Sequence, residues 1–381
     1  MKRTLFEQEH DDFRATIHKF FESEIAPNMD EWEHAGILPK SVFVRLGELG
    51  VAGLNLPEEY GGGGVDDFRF NAVVLEEQAL TYSTLGGFGV SWNIVTPYLQ
   101  HIGNEEQKQR WLPGVAAGTT QCSIAMTEPG TGSDLSGIKT TAVRDGDDWV
   151  INGSKIFITG GINADLVIVA CRTSTGDDRR DGLSLIVVED GTAGFTKGRK
   201  LEKLGTRSTD TAELFFDNVR VPGANLLGEE GKGFSYLTLN LVQERLTQSV
   251  SAVATAQAAL NAAVSYVQER HVFGKPVAAF QNTKFELAAC AAEVDAGQAM
   301  VDKAIELHNA RELSVADVAK VKLFVTEMAG RVVDKCLQLH GGYGYMLEYP
   351  IARLYADIRL GRIAAGSSEI MKTVIAKSLG L

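Results

Sequence analysis

A mostly helical α+β chain is predicted, laid out as a helical domain, a β domain built as a small barrel or sandwich, and a helical bundle. Three observations carry the prediction. Glycine is concentrated in the middle: 12 fall in residues 1–113, 19 in residues 114–233 and 9 in residues 234–381. The same middle stretch holds short β-prone runs with no helical patterning between them. Both flanks instead carry apolar residues at three- and four-residue spacing. The boundaries drawn on this pattern are 1–120, 121–228 and 229–381, each near the usual domain size.

In chain order, residues 5–110 read as helices, the first opened by Phe6-Glu7-Gln8-Glu9-His10. A loop from Leu56 to Gly64 interrupts them, and its run Gly61–Gly64 is expected to be flexible rather than a phosphate cradle. In the middle domain, Trp149 to Ile158 reads as a hairpin turning at Asn152-Gly153, because Asn-Gly is the preferred two-residue turn. Further strands are expected at Leu166–Cys171, Leu183–Val188 and Leu214–Phe216. The basic stretch Lys197–Lys203 reads as a solvated loop. From Ser235 to His340 there are three glycines and one proline. Leu246, Val250, Val253, Leu260, Val264 and Val267 recur there at helical spacing, with only Gln257 out of pattern. Gly274-Lys275-Pro276 then separates two long helices.

Composition excludes several function classes. The 381 residues carry 37 Lys+Arg against 49 Asp+Glu, a net charge of −12, which argues against a general nucleic-acid binder. The longest apolar runs are six residues, far short of the ~20 needed to span a bilayer. The first residues turn acidic at once, without a secretory signal. The expected location is the cytoplasm, or the mitochondrial matrix for a mature eukaryotic form. Cys122, Cys171, Cys290 and Cys336 are widely spaced, as buried thiols of a reducing compartment are. No two histidines stand at metal-ligand spacing, and no metal site is expected.

Three clusters pack glycine and hydroxyl residues at the ends of apolar runs: Ala125–Asp134, Gln338–Tyr345 and Ala365–Ile370. Glycines let a ligand approach backbone N–H groups, and Ser/Thr add donors. No G-x-G-x-x-G follows a strand, so a Rossmann-type cofactor fold is not supported. Taken together with Leu56–Gly63, Gly153–Thr159, Asp210–Phe216, Gly228–Phe234, Arg270–Lys275 and Glu348-Tyr349-Pro350, the clusters make the chain resemble the acyl-CoA dehydrogenase family over nearly its whole length. The resemblance implies a C-terminal four-helix bundle, FAD as cofactor, acyl-CoA as substrate, an electron-transfer flavoprotein as acceptor and a homotetramer.

Carried onto this sequence, the resemblance places the flavin ring against Met126, Thr127, Phe157 and Thr159, with Phe157 also open to a core-packing role. Gly132 and Ser133 would approach the pyrophosphate or the substrate. Arg270, Phe273, Gln281, Gln338 and Gly342 would receive the adenosine half from a neighbouring subunit, and Ser367 and Glu369 would complete the flavin site. Ser133, Arg245 and Gly366 would line the substrate.

The reaction implied removes an α-proton and so needs a carboxylate base and oxyanion donors. Many relatives carry that glutamate immediately before the glycine of the third cluster, where this chain has Ala365. The long-chain and isovaleryl branch places it instead on the first long bundle helix, which makes Glu244 the candidate base. Its neighbour Arg245 need not neutralise it, since adjacent helix positions do not face each other. The Ala365 N–H would still serve as an oxyanion donor, together with a flavin ribityl hydroxyl. The pairing of Glu244 with Ala365, along with Phe6–His10 and Met346–Pro350, most resembles the long-chain branch, and the small residues Ala364-Ala365-Gly366 would also tolerate a branched acyl chain. An oxygen-using relative (oxidase or monooxygenase) and a non-catalytic flavin or CoA scaffold remain as alternatives.

Overall fold

The computed structural model describes residues 1–174 and 180–381. Helices fill the first segment, including Gln8–Phe20, Lys40–Glu48, Phe68–Leu80, Thr96–Ile102 and Glu105–Ala116. Their ends are set locally. Asn104 and Gln107 exchange side-chain-to-backbone hydrogen bonds of 2.9 and 3.0 Å, the reciprocal cap that satisfies first-turn donors. The run Gly61–Gly64 is a packed turn rather than a flexible loop. Gly63 and Gly64 donate to the carbonyls of Gly53 and Leu56 at 3.0 and 2.8 Å. A Cβ at Gly62 would sit 2.1 Å from the Leu56 carbonyl oxygen, so glycine permits this close approach.

The middle segment is one hydrogen-bonded sheet of β1 (Cys122–Ala125), β2 (Thr141–Asp145), β3 (Asp148–Thr159), β4 (Leu166–Arg172), β5 (Leu183–Glu189), β6 (Phe195–Lys200), β7 (Thr211–Pro222) and β8 (Leu226–Leu227). The order is β6-β7-β3-β2-β4-β5-β8, with β1 parallel to β4. Phe195 on β6 and Val188 on β5 share one core with Trp149, Ile151 and Phe216, so the sheet curls as a barrel does. In β4, Val167, Val169 and Cys171 enter that core, while Leu166, Ile168 and Ala170 pack on the helical residues Tyr98, Leu99 and Leu112. Burial on both faces explains why β4 and β5 read as continuous apolar runs rather than alternating ones.

Two local readings are corrected. Trp149 to Ile158 lies within one strand, β3, and Asn152-Gly153 is a register shift against β7, not a turn. Gly153 has φ +150°, and a Cβ there would come within 2.5 Å of Thr140 Oγ1. The turn is instead Gly146-Asp147 between β2 and β3, with Gly146 at φ +64° as the first turn residue. The basic stretch is a solvated loop only in part, with Arg199, Lys200 and Glu202 exposed. It begins on β6, and Lys197 donates to the carbonyls of Ile162 and Ala164 at 3.1 and 2.7 Å and pairs with Asp190. Lys200 and Lys203 hydrogen-bond the carbonyls of Ala35 and Thr209.

The C-terminal segment is a bundle of Gly233–Glu269, Gln281–Asn309, Val315–His340 and the shorter Ser368–Ser378. Ala252, Ala256, Ala259 and Ala263 are buried on the first helix, and their small size lets it sit centrally among its neighbours. Gly297 serves the same end, since a Cβ there would meet Met328 Cε at 2.7 Å. Of the apolar positions read as one stripe, Val264 proves exposed. By length and apolarity Gly233–Glu269 could cross a membrane, but over half of its most apolar window is buried in the protein. Between the first two helices, His271–Val272 pairs with Lys275–Pro276 about a Phe273-Gly274 turn whose residues both have positive φ. All four cysteines are free and buried. Near the N-terminus, Glu7, Glu9 and His10 cluster. Both ring nitrogens of His10 are engaged, with the Glu7 N–H at 3.1 Å and Asp67 at 3.2 Å.

Candidate active site

The first part of the site is a ledge where β1 runs out. Met126 and Thr127 are half-buried there. Ile156 N–H on β3 donates to the Thr127 carbonyl at 3.0 Å. Beneath them, the buried Lys155 ammonium donates to the Met126 carbonyl at 3.0 Å and to Glu128 Oε1 at 2.9 Å. The Glu128 carboxylate also accepts from the N–H groups of Lys139 and Thr140, both at 2.8 Å. Burial would raise the Glu128 carboxyl, but the Thr140 hydrogen bond and the Lys155 charge hold it below its ordinary value. One ion pair therefore fastens both ends of the loop carrying Gly132 and Ser133. That loop is exposed, and a Cβ at Gly130 or Gly132 would meet nothing within 4 Å.

Phe157 shows why the ledge is open. It sits in the irregularity between Lys155 and Ile158 with φ +61°, and its side chain is 64% exposed. The core-packing role is thereby excluded. Left-handed backbone at a bulky residue costs on the order of 1 kcal/mol or more, and here it turns an aromatic ring outward beside Thr127 and Thr159. The Thr159 carbonyl is pinned by Ser123 Oγ at 2.9 Å. An outward ring, half-buried threonines and open glycines fit the flat ring and phosphates of a flavin dinucleotide.

The second part is Glu244, on the first bundle helix. Its side chain is 3% exposed, and Oε1 accepts from Tyr98 Oη at 3.1 Å and Asn240 Nδ2 at 3.3 Å. Burial pushes the carboxyl up to about 7, against the opposing pull of those two hydrogen bonds and of Arg245. The Tyr98 hydroxyl is raised in turn, by burial and by the Glu244 charge, so it stays a donor. Arg245 is buried too, and its Nε has no hydrogen-bond partner. Burial lowers its pKa despite the neighbouring Glu244.

The third part is the turn at residues 364–367. Ala365 and Gly366 have φ +53° and +90°. A Cβ at Gly366 would lie 3.7 Å from Arg245 Nη2, which brings the turn against the helix that carries Glu244. Lys322 donates to the carbonyls of Gly361 and Gly366 at 3.1 and 2.7 Å. Ser367 caps the following helix, accepting from the Ile370 N–H. Glu369 in that helix's first turn is held below its usual value by its own backbone N–H and the Ser367 hydroxyl.

The remaining residues lie elsewhere. Gln338 and Gly342 line an open groove with Arg270, whose guanidinium stands 5.7 Å over the Tyr343 ring. Phe273 projects from the nearby hairpin tip, 95% exposed, and Gln281 opens the next helix, also exposed. Arg270 follows the C-terminal end of the helix that bears Glu244, about 39 Å farther along its axis at 1.5 Å per residue. Arg245 and Gly366 are thus brought together, with Glu244 one position before Arg245, and Met126, Thr127, Phe157 and Thr159 form one ledge. The Arg270 group is separate from Glu244 within one chain. Sequence reasoning missed Tyr98, Asn240, Lys322 and the Glu128–Lys155 pair. Only Lys322 left a local signal, a lysine inside the apolar run Val321-Lys322-Leu323-Phe324-Val325.

A curled β-sheet between two helical units is a three-part architecture shared with known proteins. Sequence models of the acyl-CoA dehydrogenase N-terminal, middle and C-terminal domains match residues 7–119, 123–219 and 231–380. The chain belongs to the acyl-CoA dehydrogenase family. It is 44% identical to the mitochondrial long-chain specific acyl-CoA dehydrogenase of Sus scrofa over 99% of this chain and 88% of that protein. The crystal structure of an acyl-CoA dehydrogenase from Geobacillus kaustophilus superposes with a TM-score of 0.98 at 48% identity, covering 100% of both chains. A glutaryl-CoA dehydrogenase from Mycobacterium smegmatis in complex with FADH2 superposes with a TM-score of 0.90 at 31% identity, covering 98% of this chain and 95% of that one.

Proposed function

We propose that this chain catalyses FAD-dependent α,β-dehydrogenation of an acyl-CoA thioester, with Glu244 as the base. The observation that carries the reading is the Glu244 carboxyl, buried and pushed up to about 7, with Oε1 occupied by Tyr98 and Asn240. Oε2 is thereby left for the substrate, and a carboxylate of that basicity suits proton abstraction near neutral pH. Ala365 has no group to take this part. FAD, when bound, supplies the acceptor for the hydride. Glu244 takes the α-proton, the electrons of that Cα–H bond become the new double bond, and the β-hydrogen departs with its own pair. The trans-2-enoyl-CoA results.

Met126, Thr127, Phe157 and Thr159 hold the ring, and Gly132 and Ser133 meet the pyrophosphate or substrate. Ser367 and Glu369 complete the site, with Arg245 and Gly366 beside the substrate. The Ala365 N–H donates to the thioester oxygen as charge develops there. Arg270, Phe273, Gln281, Gln338 and Gly342 take the adenosine half of a second copy's cofactor, since they lie too far along the helix to serve the Glu244 of their own chain. A homotetramer follows as the assembly, with an electron-transfer flavoprotein as acceptor and the cytoplasm or mitochondrial matrix as the location. Small residues at 364–366 and the likeness to the long-chain enzyme support a long or branched substrate.

The test is anaerobic bleaching of the purified flavoprotein by acyl-CoAs from C4 to C18 and branched chains. Bleaching by long or branched thioesters, abolished in Glu244→Gln with FAD still bound, is expected. Preference for short straight chains overturns the substrate class, and no bleaching across the panel favours a non-catalytic scaffold. Rapid oxygen consumption by the reduced enzyme favours an oxidase.

A further inference from the structure

Lys322 is a buried charge that the proposed mechanism does not use. Its side chain is 1% exposed, and among the described residues it forms no ion pair. Its ammonium instead donates to two backbone carbonyls, Gly361 at 3.1 Å and Gly366 at 2.7 Å. The charge that acts on it is another cation, Arg245, and burial together with that repulsion pulls the lysine down to about 8. Burying an ammonium without an anionic partner is costly, and an apolar side chain of the same length would fill the space without that cost. Stability therefore does not account for a lysine at this position.

Its two acceptors do. They bracket the segment 361–366, whose last two residues are the left-handed pair Ala365 and Gly366 at φ +53° and +90°. Alanine gains nothing from that conformation, so the surroundings must impose it. The same helix grips the flanks through Glu327, which accepts from Ser368 Oγ at 2.7 Å and pairs with Arg362 at 3.2 Å. Lys322 reaches the turn itself, at the Gly366 carbonyl. Arg245 Nη2 stands 3.7 Å from where a Cβ on Gly366 would lie, so two cationic side chains meet the turn.

We propose that Lys322 is a positioning residue for the oxyanion donor: by clamping the carbonyls of Gly361 and Gly366 it holds the Ala365 N–H in its left-handed turn, aimed at the thioester oxygen. This rests on the dehydrogenase reading above. The test compares Lys322→Met with the wild-type holoenzyme by hydrogen exchange of the peptide spanning 361–367 and by steady-state kinetics. Faster exchange confined to that peptide is expected, with kcat lowered about tenfold or more and KM within about threefold, the split that a donor acting in the transition state gives. Wild-type exchange with kcat within twofold overturns the proposal. If Lys322→Met fails to retain FAD, Lys322→Gln carries the test, because its shorter side chain removes the charge and cannot reach both carbonyls. Lowered kcat at full FAD content then supports the clamp, and wild-type kcat refutes it. Failure of the wild type to be bleached by any acyl-CoA would instead sink the dehydrogenase reading, while the exchange result would still report on the clamp.

Discussion

Replacing Glu244 by Gln tests the desolvated base through stability as well as through activity. The substitution preserves shape, and the amide oxygen can still accept from Tyr98 and Asn240. It removes only the charge. Burial raises this carboxyl from 4.5 to about 7 in the folded chain. The folded state thus binds the proton more tightly than the unfolded one, and the favourable contribution of neutral Glu244 is complete below pH ~4.5 and lost as pH rises through ~7. A shift of roughly 2.5 units corresponds to about 3 kcal/mol of penalty above pH 7. Glu244→Gln should then be nearly neutral at pH 4.5 and more stable than wild type by up to ~3 kcal/mol at pH 8. If the chain melts as one unit, an unfolding entropy of ~2.1 cal/mol/K per residue converts this to about 4 °C. The assay is thermal unfolding of the FAD-free proteins from pH 4.5 to 8. A difference in Tm that does not change with pH would refute the desolvation argument, and a destabilised variant at pH 8 would reverse it. In the holoenzyme the same change should lower kcat by ~10³-fold or more, the range for loss of a general base.

The remaining expectations use separate contacts. The kcat of the wild type should rise with pH to a plateau above about 7, as Glu244 ionises, and Tyr98→Phe should move that profile to higher pH by removing a hydrogen bond to the charged form. Phe157→Ala should weaken FAD binding at almost no cost in FAD-free stability, because the ring is exposed; equilibrium FAD titration and thermal unfolding check the two halves. Lys155→Met should release the Met126 carbonyl and the Glu128 carboxylate and raise the FAD dissociation constant at least tenfold, with unchanged FAD affinity counting against the ledge. Gly153→Ala should destabilise the chain by ~1–3 kcal/mol through the Thr140 contact, measured by denaturant unfolding.

Much of the layout was legible because its causes are local or periodic. Helical spacing from Leu246 to Val267 marked the central bundle helix, and Gly274-Lys275-Pro276 marked its end, since both patterns follow from backbone geometry alone. Local signals failed where a distant residue overrode them. Asn152-Gly153 carries the composition of a hairpin turn, yet Thr140 packs on Gly153 and keeps the strand running. Lys197 and Lys200 look like part of a solvated charge run, and the carbonyls that claim them lie on other segments.

The sequence by itself determined the three-part architecture, the absence of a carboxylate at Ala365 and the helical placement of Glu244. Only the tertiary structure decided the surroundings of that glutamate. Tyr98 meets it from 146 positions away in the chain, and burial between two helical units sets its basicity. The same holds for the turn at Ala365, whose left-handed backbone is unfavourable locally and persists beside Lys322 and Arg245. A pKa and an unfavourable φ are both properties of surroundings, and surroundings are assembled from residues that no local pattern brings together.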